Sequence, residues 1–357
     1  MTMPPLVVRV VGVLFAVLAT DGVAQDVTVG DRSVGCLDDP ACINRLHPNI
    51  PMVARAEPGQ RIVFHGRDAF DLTLDPDGFS SAPSIPREGL GIVHALTGPV
   101  YIEGARAGDV LAVTIESLKP DSVGWTWAST FGFAGDQFGT EGQFIVWRLN
   151  DDYAVSDALP GVRIPNASFP GVVTTLPDEA LLAKTLAREA DLLEAGGAVL
   201  PPDAVEAAPA ALCGPEGSQP LECLRTIPPR EHGGNMDIRY ITTGTTVYLP
   251  CLIDGCGLAV GDFHYAQGDG EVAGTAIEMG GTLTVTTWIV EDPPDLSHGP
   301  HYEGPASVLG IPSERFYAVT GFPIKEPGSV PANLALAENN AAVAAQVAVA
   351  IAAAATG

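Results

Sequence analysis

The sequence predicts a mainly β protein in which many short strands are joined by turns. Glycine contributes 40 and proline 31 of the 357 residues, and this proportion favours frequent turns over a helical bundle. Apolar residues make up 46% of the chain and charged residues 17%, which excludes a disordered or fibrous protein. Strand-like apolar runs bounded by Gly and Pro recur along the chain. They occupy residues 61–64, 110–115, 143–148 and 272–290.

Residues 1–24 are predicted to form a secretory signal peptide. Arg9 supplies a positive charge, residues 10–19 form an apolar run, and Gly22 and Ala24 place small side chains where a signal peptidase cuts. The mature chain would then begin near Gln25 and be periplasmic or secreted. An uncleaved membrane anchor is the alternative, although the apolar run is shorter than a typical membrane span.

Cysteine usage is consistent with export. An even number of cysteines in an oxidising compartment indicates disulfides, most simply between neighbours in the sequence. A zinc cluster is the rival interpretation, but none of the spacings is the C-x-x-C of a zinc ribbon. The close pairs are Cys36 with Cys42, Cys213 with Cys223, and Cys251 with Cys256.

One large domain is expected over residues 25–330, with a helical and loop excursion at residues 177–230. Pro177 suits a first helical turn, and a helix is predicted over 177–194. Residues 198–230 are rich in Pro, Ala and Glu and are expected to lie on the surface. The helix prediction rests on apolar residues at helical spacing, namely Leu181, Leu182, Leu186, Ala190 and Leu193.

Residues 331–357 are predicted to form an alanine-rich C-terminal helix. The chain between residues 341 and 355 is almost entirely Ala and Val, and alanine is the strongest helix former. The segment is short for a membrane span, so a packed terminal helix is the expected form.

The charge balance narrows the range of partners. The formal net charge is −25, with 18 basic and 43 acidic residues. Such a surface repels nucleic acid and anionic membranes, and neither is expected as a partner once the signal peptide is removed. A neutral or cationic small substrate suits this balance, as does a surface that is simply well solvated.

Polar side chains that could carry chemistry concentrate in three segments, residues 67–71, 228–237 and 261–271. In the third segment Asp262 and His264 are two apart, so on a strand both side chains face the same way and could bind one metal. Gly268 and Gly270 would let the backbone turn around Asp269 and return Glu271 to the same space. Carboxylate and imidazole together suit zinc or a similar divalent ion, but the same residues also build plain turns.

Other catalytic motifs find little support in the sequence. No serine lies in a G-x-S-x-G elbow, and none of the three lysines, Lys119, Lys184 and Lys325, lies beside a serine or cysteine cluster.

In the second segment Gly233 and Gly234 permit a close backbone approach, although a surface turn would use them equally well.

Five segments, taken together and in order, resemble the acetamidase/formamidase family. The resemblance covers roughly residues 50–325. Its most specific pieces are residues 96–105, 107–111, 230–237, 244–250 and 261–271, the last followed by 274–278.

This resemblance implies a fold, an activity and an assembly. The fold is a jelly-roll-like β-sandwich with a smaller α+β portion, formed by the catalytic domain at residues 25–330. The activity is hydrolysis of carbon–nitrogen bonds in short linear amides, such as formamide or acetamide, to the acid and ammonia. The assembly is a homodimer. Another linear amide or a carbamate is an alternative substrate, and a non-catalytic jelly-roll binding module is an alternative of a different class.

The resemblance also marks the polar residues of a site, to which we assign roles as hypotheses. A divalent metal, zinc or alternatively calcium, would be held by Asp237, Asp262 and His264. Glu271 or Asp269 would move the proton, and Asn235 would stabilise the oxyanion with the backbone amides of a glycine pair. The residues expected to bind substrate are Gly233, Gly234, His232, Asp68 and His94, of which His94 could equally cap a turn.

Overall fold

The computed structural model describes residues 25–72, 74, 90–128, 142–194, 200–297 and 299–320. The predicted signal peptide and the predicted C-terminal helix lie outside these residues. The described chain is mainly β, as predicted. Its strands are β1 (Val27–Val29), β2 (Cys42–Ile43), β3 (Arg45–Leu46), β4 (Ala54–Ala56), β5 (Arg61–Gly66), β6 (Leu96–Ile102), β7 (Val110–Ala128), β8 (Gln143–Leu149), β9 (Tyr153–Val155), β10 (Ile164–Pro165), β11 (Phe169–Thr174), β12 (Leu224–Arg225), β13 (Gly233–Asn235), β14 (Thr246–Pro250), β15 (Cys256–His264), β16 (Glu278–Ile289), β17 (His301–Pro305) and β18 (Arg315–Val319).

Within the part of the chain that the structure describes, two α-helices interrupt the strands, α1 (Glu179–Glu194) and α2 (Ala210–Cys213). Short 3₁₀ turns occupy Cys36–Asp38 and Ala306–Leu309. No helix among the described residues is long and apolar enough to cross a membrane.

The strands form two layers that meet at one corner. One layer runs β1-β5-β16-β7-β14-β17-β18, and the far half of β7 also pairs with β8, which leads to β9 and β10. The other layer contains β6, β15, β11 and β13, with β2 and β4 along the outer side of β6. Only the last residues of β15 and the first of β16 join the layers, through Phe263 opposite Met279 and His264 opposite Glu278.

The inner faces of the two layers share one buried core. Apolar side chains alternate along the strands, so that every second residue of a strand faces the opposite layer. Both layers contribute to a single cluster, and this packing gives the sandwich that the sequence predicts. Its fully buried members include Phe64, Ile62, Leu111, Leu283 and Val285 from one layer, and Val100, Ile102, Leu258 and Val260 from the other.

Helix α1 lies within the segment where the sequence predicts a helix. Its first turn is capped by Asp178, whose Oδ1 accepts a hydrogen bond from the amide of Leu181 at 2.7 Å. Leu181 and Leu182 are buried as their spacing suggests. The helical spacing also includes Leu193, but that side chain is exposed and Leu192 is buried in its place.

Two bidentate ion pairs explain why the buried face of α1 includes charged residues and departs from the apolar spacing of the sequence. Arg188 donates to Glu231 at 2.6 and 3.0 Å, and Arg230 donates to Glu189 at 2.8 and 3.0 Å. The helix thus buries one cation and one anion, each matched by the opposite charge from residues 230–231. These crossed pairs anchor the chain immediately before the polar segment that starts at His232.

Replacing Glu189 with glutamine is expected to destabilise the fold by about 3–5 kcal/mol, because the buried Arg230 guanidinium loses its compensating charge. Urea unfolding followed by far-UV circular dichroism measures this change. Asp157→Asn is the matched control, because Asp157 pairs with Arg148 at the surface and its loss should leave the urea midpoint unchanged. Equal midpoints for both variants would contradict this account of the ion pairs.

The segment 198–230 lies partly on the surface, as predicted, but a smaller part of its described length is buried. Ala208, Cys213 and Leu224 are buried, and β12 pairs with β3. The amide of Ala208 donates to the side chain of Asn44 at 2.7 Å, and the Arg45 guanidinium donates to backbone carbonyls of this segment. Polar groups near β3 therefore supply the hydrogen bonds that allow these residues to be buried.

The cysteines pair locally, as the sequence favours. The Cα–Cα separations of 5.2, 5.7 and 4.4 Å lie within the range for disulfides. They belong to Cys36–Cys42, Cys213–Cys223 and Cys251–Cys256, respectively.

Candidate active site at the corner of the sandwich

Five titratable residues meet where the two layers join. Ligand-forming atoms of Asp237, Asp262 and His264 all lie within 4.8 Å of one another. The same holds for His264, Glu271 and Glu278, so His264 belongs to both groups. We call these five residues the corner cluster. Carboxylates and an imidazole at such distances could coordinate a divalent metal.

A change of phase at the end of β15 places Asp262 and His264 outside the apolar core. Leu258 and Val260 belong to the core, and the next core residue is Phe263. The alternation shifts at Asp262, whose φ of 55° lies in the left-handed region. Asp262 and His264 therefore come together, with His264 Nε2 at 3.4 Å from Asp262 Oδ1. The two-residue spacing of Asp262 and His264 in the sequence predicts this pair.

Asp237 reaches the cluster because β13 lies along β11. The carbonyl of Gly171, in β11, accepts hydrogen bonds from the amides of Met236 at 3.1 Å and Asp237 at 3.2 Å. Asp237 itself has a φ of 47°, and Glu271 has a φ of 44°. Left-handed backbone at three acidic residues of one cluster is typical of a functional site, since such conformations cost about 1–3 kcal/mol each.

Gly171 leaves the space in which two carboxylates approach each other. A Cβ atom at this position would lie 2.7 Å from both Asp237 Oδ1 and Asp262 Oδ2. Neither carboxylate can withdraw easily, because Asp262 is buried and the backbone of Asp237 is fixed to Gly171.

Gly171→Ala is therefore expected to weaken metal binding at the corner cluster by about 10–100-fold, a cost comparable to that of losing an outer-shell partner. A metal titration with a competing chromophoric chelator measures this change. Gly35→Ala is the control for a glycine outside the cluster, because its φ of −69° suits any residue and the nearest atom, Asp71 Oδ2, would lie 3.6 Å from the new Cβ. Unchanged metal affinity in Gly171→Ala would show that the two carboxylates do not act together.

Glu278 completes the cluster from the other layer. It is the first residue of β16 and lies directly opposite His264 in the strand ladder. Its Oε1 accepts a hydrogen bond from the amide of Ala276 at 2.9 Å, and its Oε2 lies 3.3 Å from His264 Nε2. Phe169 packs edge-on against His264, with ring centroids 5.0 Å apart, and holds the imidazole in place.

The buried charges of the cluster strongly perturb one another. Burial and the nearby Asp262 raise the pKa of Asp237 to about 8, and burial and Asp237 raise the pKa of Glu271 to about 10. Burial opposes the charged forms of Asp262 and His264. Nevertheless, His94 and His264 hold the pKa of Asp262 below its usual value, and Glu278 and Asp262 hold that of His264 well above its own. The cluster carries a surplus of carboxylates, which a bound cation would balance.

Several buried polar atoms around the cluster have no hydrogen-bond partner among the described residues. Buried polar groups in proteins are nearly always paired, so a concentration of unpaired ones indicates a site for a ligand. Gln267 lies next to the cluster because its Nε2 donates to the carbonyl of Asp237 at 2.8 Å. The unpaired atoms are Asn235 Oδ1, Asp237 Oδ1, His264 Nδ1 and Gln267 Oε1, whereas His264 Nε2 and Glu278 Oε2 face each other as an ion pair.

Comparison with known proteins assigns the chain to a family. The sequence model of the Acetamidase/Formamidase family matches residues 31–350, which is most of the chain. The chain belongs to the acetamidase/formamidase family. It is 34% identical over 264 residues to a formamidase from Methylophilus methylotrophus, and 33% identical over 261 residues to an acetamidase from Mycolicibacterium smegmatis. These matches cover 70% and 67% of this chain.

The chain spans only 64% of the length of either relative. Among solved structures, it is similar to a gamma lactamase from Delftia acidovorans, with a TM-score of 0.68 and 30% sequence identity. That likeness covers 86% of this chain and 73% of the other. The mainly β architecture is thus shared with this solved structure.

His94 faces the corner cluster in this family member. Its Nε2 lies 3.8 Å from Asp262 Oδ2, and its backbone amide donates to Thr226 Oγ1 at 2.6 Å. Burial lowers the pKa of His94, which therefore favours the neutral imidazole. The sequence leaves two roles open for His94, binding substrate or capping a turn. Its position favours the role at the site.

Asp68 belongs to neither group of potential ligands. Burial, with a further contribution from the charge of Glu278, raises the pKa of Asp68 to about 7, despite hydrogen bonds from the amides of Phe70 and Leu72. The carboxylate thus turns back on its own loop.

The structure does not bring Asp269 into the cluster. Its carboxylate is largely exposed and accepts a hydrogen bond from Arg239 Nε at 2.8 Å. The turn predicted at Gly268 and Gly270 does return the chain to the cluster, with Glu271. Of the two acids proposed for proton transfer, only Glu271 is placed to act.

The positions of His232 and Gly233 also differ from the expectation. The Nδ1 atom of His232 lies 2.8 Å from Thr174 Oγ1, and burial together with Arg230 lowers the pKa of His232 to about 3. The amide of Gly233 donates to the carbonyl of Arg230 at 3.0 Å, so it is not free to bind an oxyanion. Gly233 and Gly234 instead form the first two residues of β13, with left-handed φ values, and Asn235 completes this strand two residues before Asp237.

Sequence reasoning missed Glu278, Gln267 and Gly171. Glu278 ends the segment 274–278, on which the family resemblance partly rests, so a signal for it was present. Gln267 lies inside the segment 261–271. Gly171 carries no local signal, because its role depends on two carboxylates that are distant in sequence.

Proposed function

We propose that the protein hydrolyses the carbon–nitrogen bond of short linear amides, releasing a carboxylic acid and ammonia, with a divalent metal at the corner cluster. The proposal rests on the buried polar atoms that surround His264, several of which have no partner among the described residues. Membership of the acetamidase/formamidase family supports the choice of an amide as substrate. The 34% identity to a formamidase supports a small one.

The residues of the cluster fit a divalent metal, and zinc is the ion we propose. Asp237, Asp262 and His264 would hold it, because their ligand-forming atoms lie close together and the surplus of carboxylates requires a cation. An imidazole ligand favours zinc over calcium, which prefers oxygen ligands throughout. When bound, such an ion polarises a carbonyl and lowers the pKa of a water molecule.

The remaining residues would move protons and orient the substrate. Glu271 follows a glycine turn and adjoins His264. Its raised pKa keeps the carboxyl protonated in the metal-free protein, and a bound cation would lower that pKa, so that Glu271 could take a proton from water and deliver it to the leaving amine. Glu278 would orient His264 from the opposite strand. Asn235 lies two residues before Asp237 and has a buried side-chain oxygen without a partner among the described residues, and its side chain would bind the amide group of the substrate.

Ammonia release from formamide, acetamide, propionamide and a simple carbamate tests this function. We expect release from at least one linear amide, and only when metal is bound. The likeness to a gamma lactamase supports a cyclic amide as a second candidate substrate. Opening of 2-pyrrolidinone yields an amino acid and no ammonia, so product analysis separates the two. Metal binding without turnover of any of these compounds would contradict the proposal. Absence of both metal binding and turnover would favour a binding module.

We also propose that the protein is exported and forms a homodimer. Three local disulfides support export, since such bonds persist in oxidising compartments. N-terminal sequencing of protein from the periplasm or medium should give a start near Gln25, and a start at Met1 in the cytoplasm would contradict export. Light scattering of the purified protein should give twice the mass of the mature chain.

A further inference from the structure

His94 lies two residues before β6 and beside Asp262. Its Nε2 is 3.8 Å from Asp262 Oδ2, while the other oxygen of the same carboxylate, Oδ1, is 3.4 Å from His264 Nε2. Asp262 therefore lies between two imidazoles. Only the imidazole of His264 belongs to the groups of potential metal ligands, so His94 contacts the site without a place in either group.

The ring of His94 retains accessible surface at the site. Its side chain is 10% exposed, against 1% for His264 and 4% for Asp262. At 3.8 Å from the carboxylate, Nε2 is beyond hydrogen-bonding distance, and no other described residue bonds to it. It is also absent from the enclosed side-chain atoms that lack a partner. This nitrogen is therefore open to a ligand.

The hydroxyl of Thr226 determines which ring nitrogen of His94 carries the proton. Thr226 Oγ1 accepts a hydrogen bond from the backbone amide of His94 at 2.6 Å and lies 3.2 Å from His94 Nδ1. Thr226 is buried, and among the described residues Nδ1 is the acceptor within reach of its hydroxyl proton. Because a buried hydroxyl proton needs an acceptor, it is donated to Nδ1. The neutral ring then carries its own proton on Nε2.

Asp262 favours the same tautomer. A proton on Nε2 brings the positive end of the N–H dipole near the negative carboxylate, whereas the other tautomer would bring a lone pair near it. Thr226 and Asp262 contact different nitrogens of the ring and select one tautomer between them.

The backbone around Thr226 is held firmly. Thr226 follows β12, which pairs with β3, and the carbonyl of Arg225 accepts a hydrogen bond from Arg230 Nη1 at 2.7 Å. Arg230 is fixed in turn by its buried ion pair with Glu189 of α1. The hydroxyl, and through it the ring of His94, is thus oriented before any substrate binds.

We propose that His94 is a catalytic residue that donates its Nε2–H to the carbonyl oxygen of the substrate, and that Thr226 is the positioning residue that fixes this tautomer. When water attacks the carbonyl carbon, a C–O bond forms and an electron pair of the C=O bond moves onto the oxygen. The hydrogen bond from Nε2–H stabilises that charge, and His94 keeps its proton. The inference rests on the proposed amide hydrolysis at the corner cluster and adds a donor for its transition state.

Two substitutions of His94 separate a hydrogen-bond donor from a proton carrier and from a metal ligand. Glutamine offers an amide N–H near the position of Nε2, whereas alanine offers none. We expect His94→Ala to lower kcat for acetamide by about 10²–10³-fold with KM little changed, and His94→Gln to stay within about tenfold of the unaltered protein. Elemental analysis should find the same zinc content in both variants. Equal losses of kcat in the two variants, or loss of zinc from His94→Ala, would overturn the donor role.

Substitutions of Thr226 test the positioning role. Thr226→Val keeps the shape but removes the hydroxyl, and kcat should fall by about 10–100-fold, as for an outer-shell partner. Thr226→Ser keeps the hydroxyl and should restore kcat. Thr185→Val is the matched control, because Thr185 is also buried but its Oγ1 has no partner among the described residues. It should leave kcat unchanged. Equal kcat values for Thr226→Val and Thr226→Ser would contradict the positioning role.

The tautomer can be measured without turnover. Long-range ¹H–¹⁵N correlation spectra of the zinc-loaded protein distinguish the protonated ring nitrogen from the unprotonated one, and His94→Gln assigns the signals by their absence. We expect Nε2–H in the unaltered protein and in Thr226→Ser, and a mixture of tautomers in Thr226→Val. A proton on Nδ1 in the unaltered protein would overturn the inference, whether or not amides are hydrolysed. Nε2–H without ammonia release from any amide would refute the hydrolysis, and the role of His94 with it, while the positioning by Thr226 would stand.

Discussion

Glu271→Gln is expected to lower kcat for acetamide by about 10²–10⁴-fold, the usual contribution of a general acid–base group. Glutamine preserves the shape of the side chain but can neither take up nor deliver the proton. Glu271 is mostly buried and adjoins His264, so no water molecule from bulk solvent can replace it easily. Ammonia release under saturating acetamide measures the loss, and circular dichroism confirms that the fold is intact.

Asp269→Asn is the matched control for this substitution. The two acids lie two residues apart on the same turn, but Asp269 is exposed and paired with Arg239. Its replacement should leave kcat unchanged. If Asp269→Asn lost activity and Glu271→Gln retained it, the assignment of proton transfer would have to be reversed. Full activity in both variants would remove proton transfer from this turn altogether.

His264→Ala is expected to abolish metal binding, lowering affinity by more than the roughly 10–100-fold that even outer-shell partners contribute. His264 is the one residue shared by both groups of potential ligands, and it contributes the only nitrogen ligand to either. Elemental analysis after gel filtration measures the bound metal. Ammonia release should be lost in parallel.

His301→Ala is the control for His264→Ala. His301 is also buried, but its Nδ1 lies 2.7 Å from Tyr317 Oη, in β17 and away from the cluster. That variant should retain its metal. If His264→Ala kept a full complement of metal, the ion would have to bind elsewhere, and the corner cluster would be a network of buried charges only.

Local sequence signals predict those parts of the structure that depend on near neighbours. Apolar runs mark β5, β7, β8 and β16, and the helix pattern marks α1. Short separations pair the cysteines, and two-residue spacing unites Asp262 and His264. In each case the physical rule acts over a few residues, so the sequence alone contains the necessary information.

Contacts between distant segments decide the features that the sequence left open. Glu278 joins His264 only because of the register between β15 and β16. Asp269 is diverted from the cluster by Arg239, which comes from another segment. The buried face of α1 departs from the apolar spacing because Glu231 and Arg230 form ion pairs with charged residues of the helix. No periodicity within one segment could reveal these partners.

A titration of zinc into chelator-treated protein, with ammonia release from acetamide followed at each step, tests metal-dependent hydrolysis at the corner cluster. We expect activity to be absent without metal and to rise in proportion to the metal bound at the corner cluster, and we expect His264→Ala to gain neither metal nor activity. Full ammonia release from protein that holds no metal, or metal bound by the wild-type protein without any turnover of formamide, acetamide or the other amides, would contradict this expectation.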